Sequence, residues 1–395
     1  MDTQNNTAQT TSTGLKKLSL FAMAVAGGIA VANIYYNQPM LGIIEADFPN
    51  DPMTGLVPTA TQLGYAIGLF FLLPLGDILE RRKLIIGQFI LLAVALLLAA
   101  MAPSASALVI TSLIVGACST VAQQIVPFAA SLALPEKRGA TIGTVMAGVL
   151  SGILFSRALS GFVGQHAGWR EMFWIGVPLA LFAGALMFFT LPKHHKSSGL
   201  RYKTAILSLA TIWNEHSALR IAALTQAALF AAFSAFWTIL ALYLQTPEFN
   251  MGAGVAGLFG VVGAVGVFAA PYAGRIADNK GPAFVVLMGT ILTLISWAIF
   301  GLWSSIIALV IGVIVLDFGI QSALVSNQHI IYALDQEARS RLNTIFMTAM
   351  FFGGAIGAAL STWAWKHGGW FDVCLLGGAL ALTALAIQIF AFRRR

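Results

Sequence analysis

Long apolar runs alternate with short polar breaks along the chain, starting near Leu18, Thr59, Leu84, Ala107, Ala140, Met172, Leu219, Met251, Pro282, Ser305, Leu342 and Trp370. Each run is about 20 residues long, enough for a helix rising ~1.5 Å per residue to cross a ~30 Å hydrocarbon core. The pattern predicts an all-α membrane protein with twelve transmembrane helices. The first run follows a polar stretch and Lys16-Lys17 without the layout of a cleaved signal, so it is expected to stay as a helix. The runs group into a tail (1–17), six helices (18–191), a polar linker (192–217) and six further helices with a short basic tail (218–395).

Composition agrees with this reading: 58% of residues are hydrophobic and 9% charged, against about 25% charged in a soluble domain. The net charge of +7 invites a nucleic-acid reading, but the placement of the charges argues otherwise. With the N-terminus in the cytoplasm, 19 of the 22 Lys and Arg residues fall on cytoplasmic segments or span edges. Arg170 and Lys366 fall outside, and Arg157 lies within a span. This is the positive-inside bias, and it predicts cytoplasmic termini, a lipid bilayer as surroundings and no nucleic-acid partner. Cys118 and Cys374 both lie in apolar runs, so no disulfide framework is implied.

The two halves match at one displacement. His166, Gly168, Trp169 and Gly176 map onto His367, Gly369, Trp370 and Gly377, each 201 residues later. The same displacement carries Asp77 to Asp278, Glu136 to Glu337 and Arg138 to Arg339. Six is an even number of crossings, so the halves enter the membrane in the same orientation, as parallel repeats about an axis along the membrane normal. In the linker, residues 205–213 ("AILSLATIW") form a weakly amphipathic stretch suited to the membrane surface.

Twelve spans, two parallel halves and "LPLGDILERRK" after span 2 resemble the major facilitator superfamily. Asp77, Arg81, Arg82 and Lys83 match its loop signature, whereas Leu73 and Glu80 stand where glycines are expected. The second copy, "GRIADNKG", keeps Gly274, Asp278 and Gly281. "NIYYNQPML", "SRALSG" and "VSNQHIIYALDQEARSRLNTIFMT" further resemble a bacterial arabinose-efflux-permease-like and drug:proton antiporter branch. The resemblance implies alternating access between two six-helix bundles in a bacterial inner membrane. It also implies that Asp77, Arg81, Arg82, Lys83, Glu136, Arg138, Asp278, Glu337 and Arg339 act as a conformational latch between spans. The other reading of these loops is a topology signal alone.

Ionisable residues within spans usually face the bundle interior or a cavity. Arg157 in span 5 and Asp317 in span 10 lie about 13 Å and about 18 Å from the outer ends of their helices. Asp317, Gln321, Leu324 and Gln328 recur on one helical face. Gln226, Phe230, Phe233 and Trp237 do the same in span 7. Span 1 offers Asn33, Tyr36, Asn37 and Gln38, and span 4 offers Gln123 and Gln124. In the resembled fold, spans 1, 4, 7 and 10 line the central cavity, so these are the candidate substrate contacts; interhelical hydrogen bonding is the competing role for each amide. Arg157 and Asp317 are the candidate proton-coupling pair. Arg157 stands where the family's drug exporters carry part of a glycine pair. It is expected either to pair with Asp317 across the cavity or to donate to span 1, at Asn37 for instance; a structural tether is the plainer alternative.

Three functional readings follow: a proton-coupled exporter of small amphipathic drugs or metabolites, an importer or facilitator for a sugar or organic anion, and a non-transporting sensor or membrane enzyme. The chain lacks G-x-S-x-G, H-E-x-x-H and Walker patterns, which argues against the enzyme. A small-molecule substrate, a monomer, no metal and no cofactor beyond the coupling proton are expected.

Overall fold

The computed structural model describes residues 16–192, 202–264, 269–335 and 338–393. Glu337 of the expected latch lies outside them. The first span is broken into α1 (Lys17–Ala32) and α2 (Asn37–Asp47). Pro39 has no N–H to return to the Tyr35 carbonyl one turn back, and the Asn33 amide donates to Ile29 O at 2.7 Å, so the ladder is interrupted at residues 33–36. The chain continues through α3 (Val57–Leu72), α4 (Arg81–Ala100), α5 (Ala105–Ser119), α6 (Val121–Leu132), α7 (Arg138–His166) and α8 (Trp169–Thr190). After the linker helix α9 (Tyr202–Glu215) come α10 (Ser217–Leu244), α11 (Ala253–Gly263), α12 (Ala269–Lys280), α13 (Pro282–Leu302), α14 (Ile306–Tyr332) and α15 (Arg339–Arg393).

Among the described residues ten helical segments are long and apolar enough to span a bilayer, and Arg339–Phe392 is long enough for two crossings. The bend between those two is at Gly369, whose φ of 63° suits glycine. α11 and α12 supply one more crossing in two pieces, completing the twelve predicted. Phe21, Phe155, Phe189 and Phe371 stand exposed on the outer surface, a face suited to hydrocarbon rather than water. The start of α1, the end of α15 and α9 lie at one end of the bundle, called here the terminal side; the opposite end is the far side.

The repeat extends into details of capping. Ser104 and Ser305, also 201 apart, cap α5 and α14 by accepting from Ala107 N and Ala308 N. Gly168 and Gly369 both have positive φ. His166 and His367 each set Nδ1 against the carbonyl one turn back, at 2.9 and 2.8 Å. Arg138 and Arg339 each donate to a carbonyl at the end of the preceding span, Ala130 O and Tyr332 O.

Small residues bring the helix backbones together. Gly148 and Gly152 of α7 lie against Ala24 and Gly28 of α1, and Gly353 and Gly357 of α15 lie against Ala227 and Ala231 of α10. Gly152 and Gly353 are again 201 apart, so spans 5 and 11 cross spans 1 and 7 in the same manner.

Packing between the halves is uneven along the membrane normal. It runs through α7 on α11, α3 on α15, and α2 on α10 and α11. Thr362 donates to Gly55 O at 3.1 Å, and Gln165 Oε1 accepts from Gly254 N at 2.8 Å, both at the far side. Toward the terminal side α6 packs on α1, α4 and α7, while α12 packs on α13 and α14, each within its own half. The bundle is thus sealed at the far side and splayed at the terminal side. There α9 sits near the splayed ends: Tyr202 Oη donates to Phe71 O at 2.9 Å, and Leu209 and Trp213 line an apolar hollow with Phe70, Ile345 and Phe352.

A Cβ at position 152 would run into the backbone of Gly28. Gly152→Val is therefore expected to cost about 1–3 kcal/mol by overpacking, seen as a lower melting temperature in detergent by size-exclusion thermostability. Gly143→Ala, with open space around its Cβ, is the control and should keep the parental value.

Candidate functional site

Arg157 is held by the glycine ridge of α11. Its carbonyl packs at Gly257, and a Cβ on Gly260 would stand 3.0 Å from its own Cβ and 3.3 Å from its Cδ. With the backbones this close, the side chain of an N-terminal-half helix reaches the C-terminal half. Its guanidinium lies 3.9 Å from the Trp237 ring centroid, 4.6 Å from Tyr35 and 5.7 Å from Phe233. Nε donates to Gln38 Oε1 at 3.2 Å. The residue is 4% exposed. A desolvated cation over aromatic faces gains ~2 kcal/mol or more, which offsets part of the several kcal/mol that an ion loses on leaving water.

Asp317 is 5% exposed and faces the same ridge one turn on: a Cβ on Gly263 would stand 3.1 Å from both Asp317 Oδ2 and Trp237 Cζ2. The acid and the guanidinium are near enough to influence each other electrostatically. They form no salt bridge. Arg157 Nη2, Asp317 Oδ2 and Trp237 Nε1 are all buried without a hydrogen-bond partner among the described residues, as are amide atoms of Asn33, Asn37, Gln62 and Gln226 elsewhere in the spans. Of the two partners expected for Arg157, the Asp317 pairing is absent from this structure and the span 1 donation is present, made to Gln38 rather than Asn37.

The other predicted contacts divide into two groups. Phe230 and Phe233 stack at 5.3 Å and extend the aromatic wall beside Trp237. Along α14, Gln321 and Gln328 are half-buried and make no hydrogen bond among the described residues. Tyr36 is buried and Gln123 half-buried.

Four amides instead place one polar atom on a partner in their own half, while Asn33 Oδ1, Asn37 Oδ1 and Gln226 Nε2 have none among the described residues. Asn33 is bonded to its own helix, and Asn37 donates to Thr61 Oγ1 at 2.7 Å. Gln124 donates to Leu72 O at 2.7 Å, and Gln226 accepts from Asn327 Nδ2 at 3.1 Å. The physical reason is shared: an amide facing a neighbouring helix in an apolar interior takes the nearest partner.

Among the described residues, the bonds seen for the latch side chains stay within their own halves. Arg81 donates to Gly76 O and Arg82 to Phe188 O, while Lys83 pairs with Glu80 at 3.4 Å. Arg138 and Arg339 bond carbonyls of their own halves, and Glu136 and Asp278 are exposed. Asp77 ends a 3-10 turn that begins at Leu73.

Two contributors escaped the sequence reading. Tyr35 forms part of the cation's aromatic surround because the break at residues 33–36 turns span 1; Pro39, four residues on, was the available signal. Gln165 seals the far side, and nothing local distinguishes it from any polar residue near a span end.

The sequence profile of the Major Facilitator Superfamily matches residues 23–334. A transporter of Escherichia coli O157:H7, YgaY, named as uncharacterized, is 40% identical over 375 residues, covering 94% of this chain and 95% of its own. A probable transporter of Streptomyces coelicolor, SCO4007, is 32% identical over 378 residues, covering 94% and 88%. Among solved structures, a point mutant of the nucleoside transporter NupG matches with a TM-score of 0.76 at 13% identity, over 95% of this chain and 99% of that one. The last is a likeness of fold.

The bond from Gly254 N to Gln165 should help hold the far side shut. Its loss in Gln165→Ala, at about 0.5–1.5 kcal/mol, is expected to raise far-side opening about two- to tenfold. The measurement is maleimide labelling of Ile43→Cys in a Cys118→Ser, Cys374→Ser background. An unchanged labelling rate would mean that the seal rests on other contacts.

Proposed function

This chain belongs to the Major Facilitator Superfamily, and on that premise we propose that it is a proton-coupled antiporter exporting small amphipathic metabolites or drugs by alternating access. It is a membrane transporter rather than an enzyme, a multi-pass protein of a bacterial inner membrane. The proposal adds direction, coupling ion and orientation, with the terminal side in the cytoplasm on account of its Lys and Arg excess.

One observation carries the reading. An acid, Asp317, is buried without a hydrogen-bond partner among the described residues, beside a cation, Arg157, that comes from the opposite half. A carboxylate binds a proton more weakly as a guanidinium approaches and more strongly when left alone in apolar surroundings. When the halves rock, Arg157 moves with one and Asp317 with the other, so proton affinity would follow conformation. That dependence is what coupling requires. With one such acid on this face, the simplest stoichiometry is one proton per cycle. In the splayed state the cluster would be reached from the cytoplasm; closing the terminal side and opening the Gln165 seal would present it to the other.

A second reading, import of an organic anion, draws on Arg157 itself, which offers an unpartnered guanidinium nitrogen where exporters of the family carry glycine. The direction of gradient-driven flux in inside-out vesicles separates the two.

Asp317→Asn in proteoliposomes is expected to lose pH-gradient-driven accumulation at least tenfold, for a substrate found by ligand stabilisation, while the purified variant elutes as the parental protein does. Undiminished gradient-driven accumulation would remove Asp317 from the coupling role.

A further inference from the structure

We propose that the substrate held at this cluster is a small zwitterion with an aromatic or apolar body, of the amino-acid type, its carboxylate toward Arg157 and its ammonium toward Asp317. The inference rests on the reading of the cluster as the transport site and names its ligand. Two features carry it: the charge pattern and the shape of the wall.

The site holds one cation and one anion, each with a polar atom that has no partner: Arg157 Nη2 and Asp317 Oδ2. They face Gly260 and Gly263, neighbours on one side of α11, where Cβ positions three residues apart lie about 5–6 Å from each other. A purely cationic ligand satisfies Asp317 and meets Arg157 with like charge. A purely anionic one does the reverse. A ligand bearing both charges on adjacent atoms fits both poles and keeps the buried site neutral, avoiding the penalty for an uncompensated ion.

A neutral polyol matches neither charge. Gln321, one turn from Asp317 and without a partner among the described residues, adds a single polar contact. The remaining surface is aromatic: Trp237, Phe233 and Phe230 form one continuous wall, which suits a flat or branched apolar side chain. The arrangement also suits antiport, because the ligand's ammonium and the coupling proton would compete for the same Asp317 carboxylate.

The test is equilibrium binding to the purified full chain in nanodiscs, without any gradient. The probes are L-phenylalanine, L-phenylalaninamide (ammonium alone) and N-acetyl-L-phenylalanine (carboxylate alone). A charge-assisted contact buried on both sides is worth about tenfold or more in affinity, so the wild-type protein should bind phenylalanine at least tenfold more tightly than either derivative. In Asp317→Asn the N-acetyl compound should equal or overtake phenylalanine, and in Arg157→Gln the amide should do so.

Equal binding of one derivative by the wild-type protein, or no binding of any of the three, overturns the proposal. So does an unchanged order in both variants. The wild-type ranking decides by itself if a variant does not fold. Because no proton gradient enters the measurement, the predicted ranking together with failed gradient-driven flux would overturn proton coupling and leave the zwitterion site standing. Coupled flux of a monocationic drug with no phenylalanine binding would do the opposite.

Discussion

A guanidinium cannot shed its charge inside a protein, and Arg157 places one deep within a twelve-span bundle. Most of the site's construction answers that constraint. The charge is spread over the faces of Trp237, Tyr35 and Phe233, one nitrogen is satisfied by Gln38, and a carboxylate sits nearby without closing a salt bridge. The contacts come from both halves of the molecule, so the cation is stabilised only while those halves lie in a particular relation. An ion whose environment depends on the angle between two rigid bodies is suited to link binding with motion.

The glycines of α11 make this possible. Gly257, Gly260 and Gly263 form a ridge without side chains, which lets α7 come close enough for Arg157 to reach over into the aromatic wall. A Cβ at Gly260 or Gly263 would press on Arg157 or Asp317 directly. The same absence of side chains lets the helices move past each other with little interlocking. Similar close approaches within each half, at Gly152 on Gly28 and Gly353 on Ala227, bind each six-helix unit as a body.

The polar residues of the spans sort by the same logic. Amides that meet another helix of their own half are consumed there, as with Asn37 on Thr61 or Gln226 with Asn327. Those at the interface between halves bond the cation, as Gln38 does, bond across the interface, as Gln62 does on Ser234 at 2.6 Å and Gln165 on Gly254, or stay without a partner among the described residues, as Gln321 does. An unsatisfied buried donor or acceptor costs about 1–3 kcal/mol, so the orphaned atoms of Arg157, Asp317 and Trp237 represent free energy that a ligand, a proton or a change of state can recover.

The architecture was legible in the chain: twelve runs of the right length, the 201-residue displacement and the bias of Lys and Arg together specify two parallel six-helix units. The reason is physical, since a bilayer leaves a helix as nearly the only way to satisfy a crossing backbone, and hydrophobic length then reports each crossing. Arg157, Asp317, Trp237 and Phe233 were also legible, because charge and aromatic stripes stand out against Leu, Ala and Val. What the chain did not disclose was partnership. Whether an amide faces its own half or the other, that Tyr35 rather than Tyr36 meets the cation, and that Gln165 seals the far side all depend on helix rotation and on the break before Pro39. Those are set by close packing among spans far apart in the chain, and only the tertiary structure brings them together.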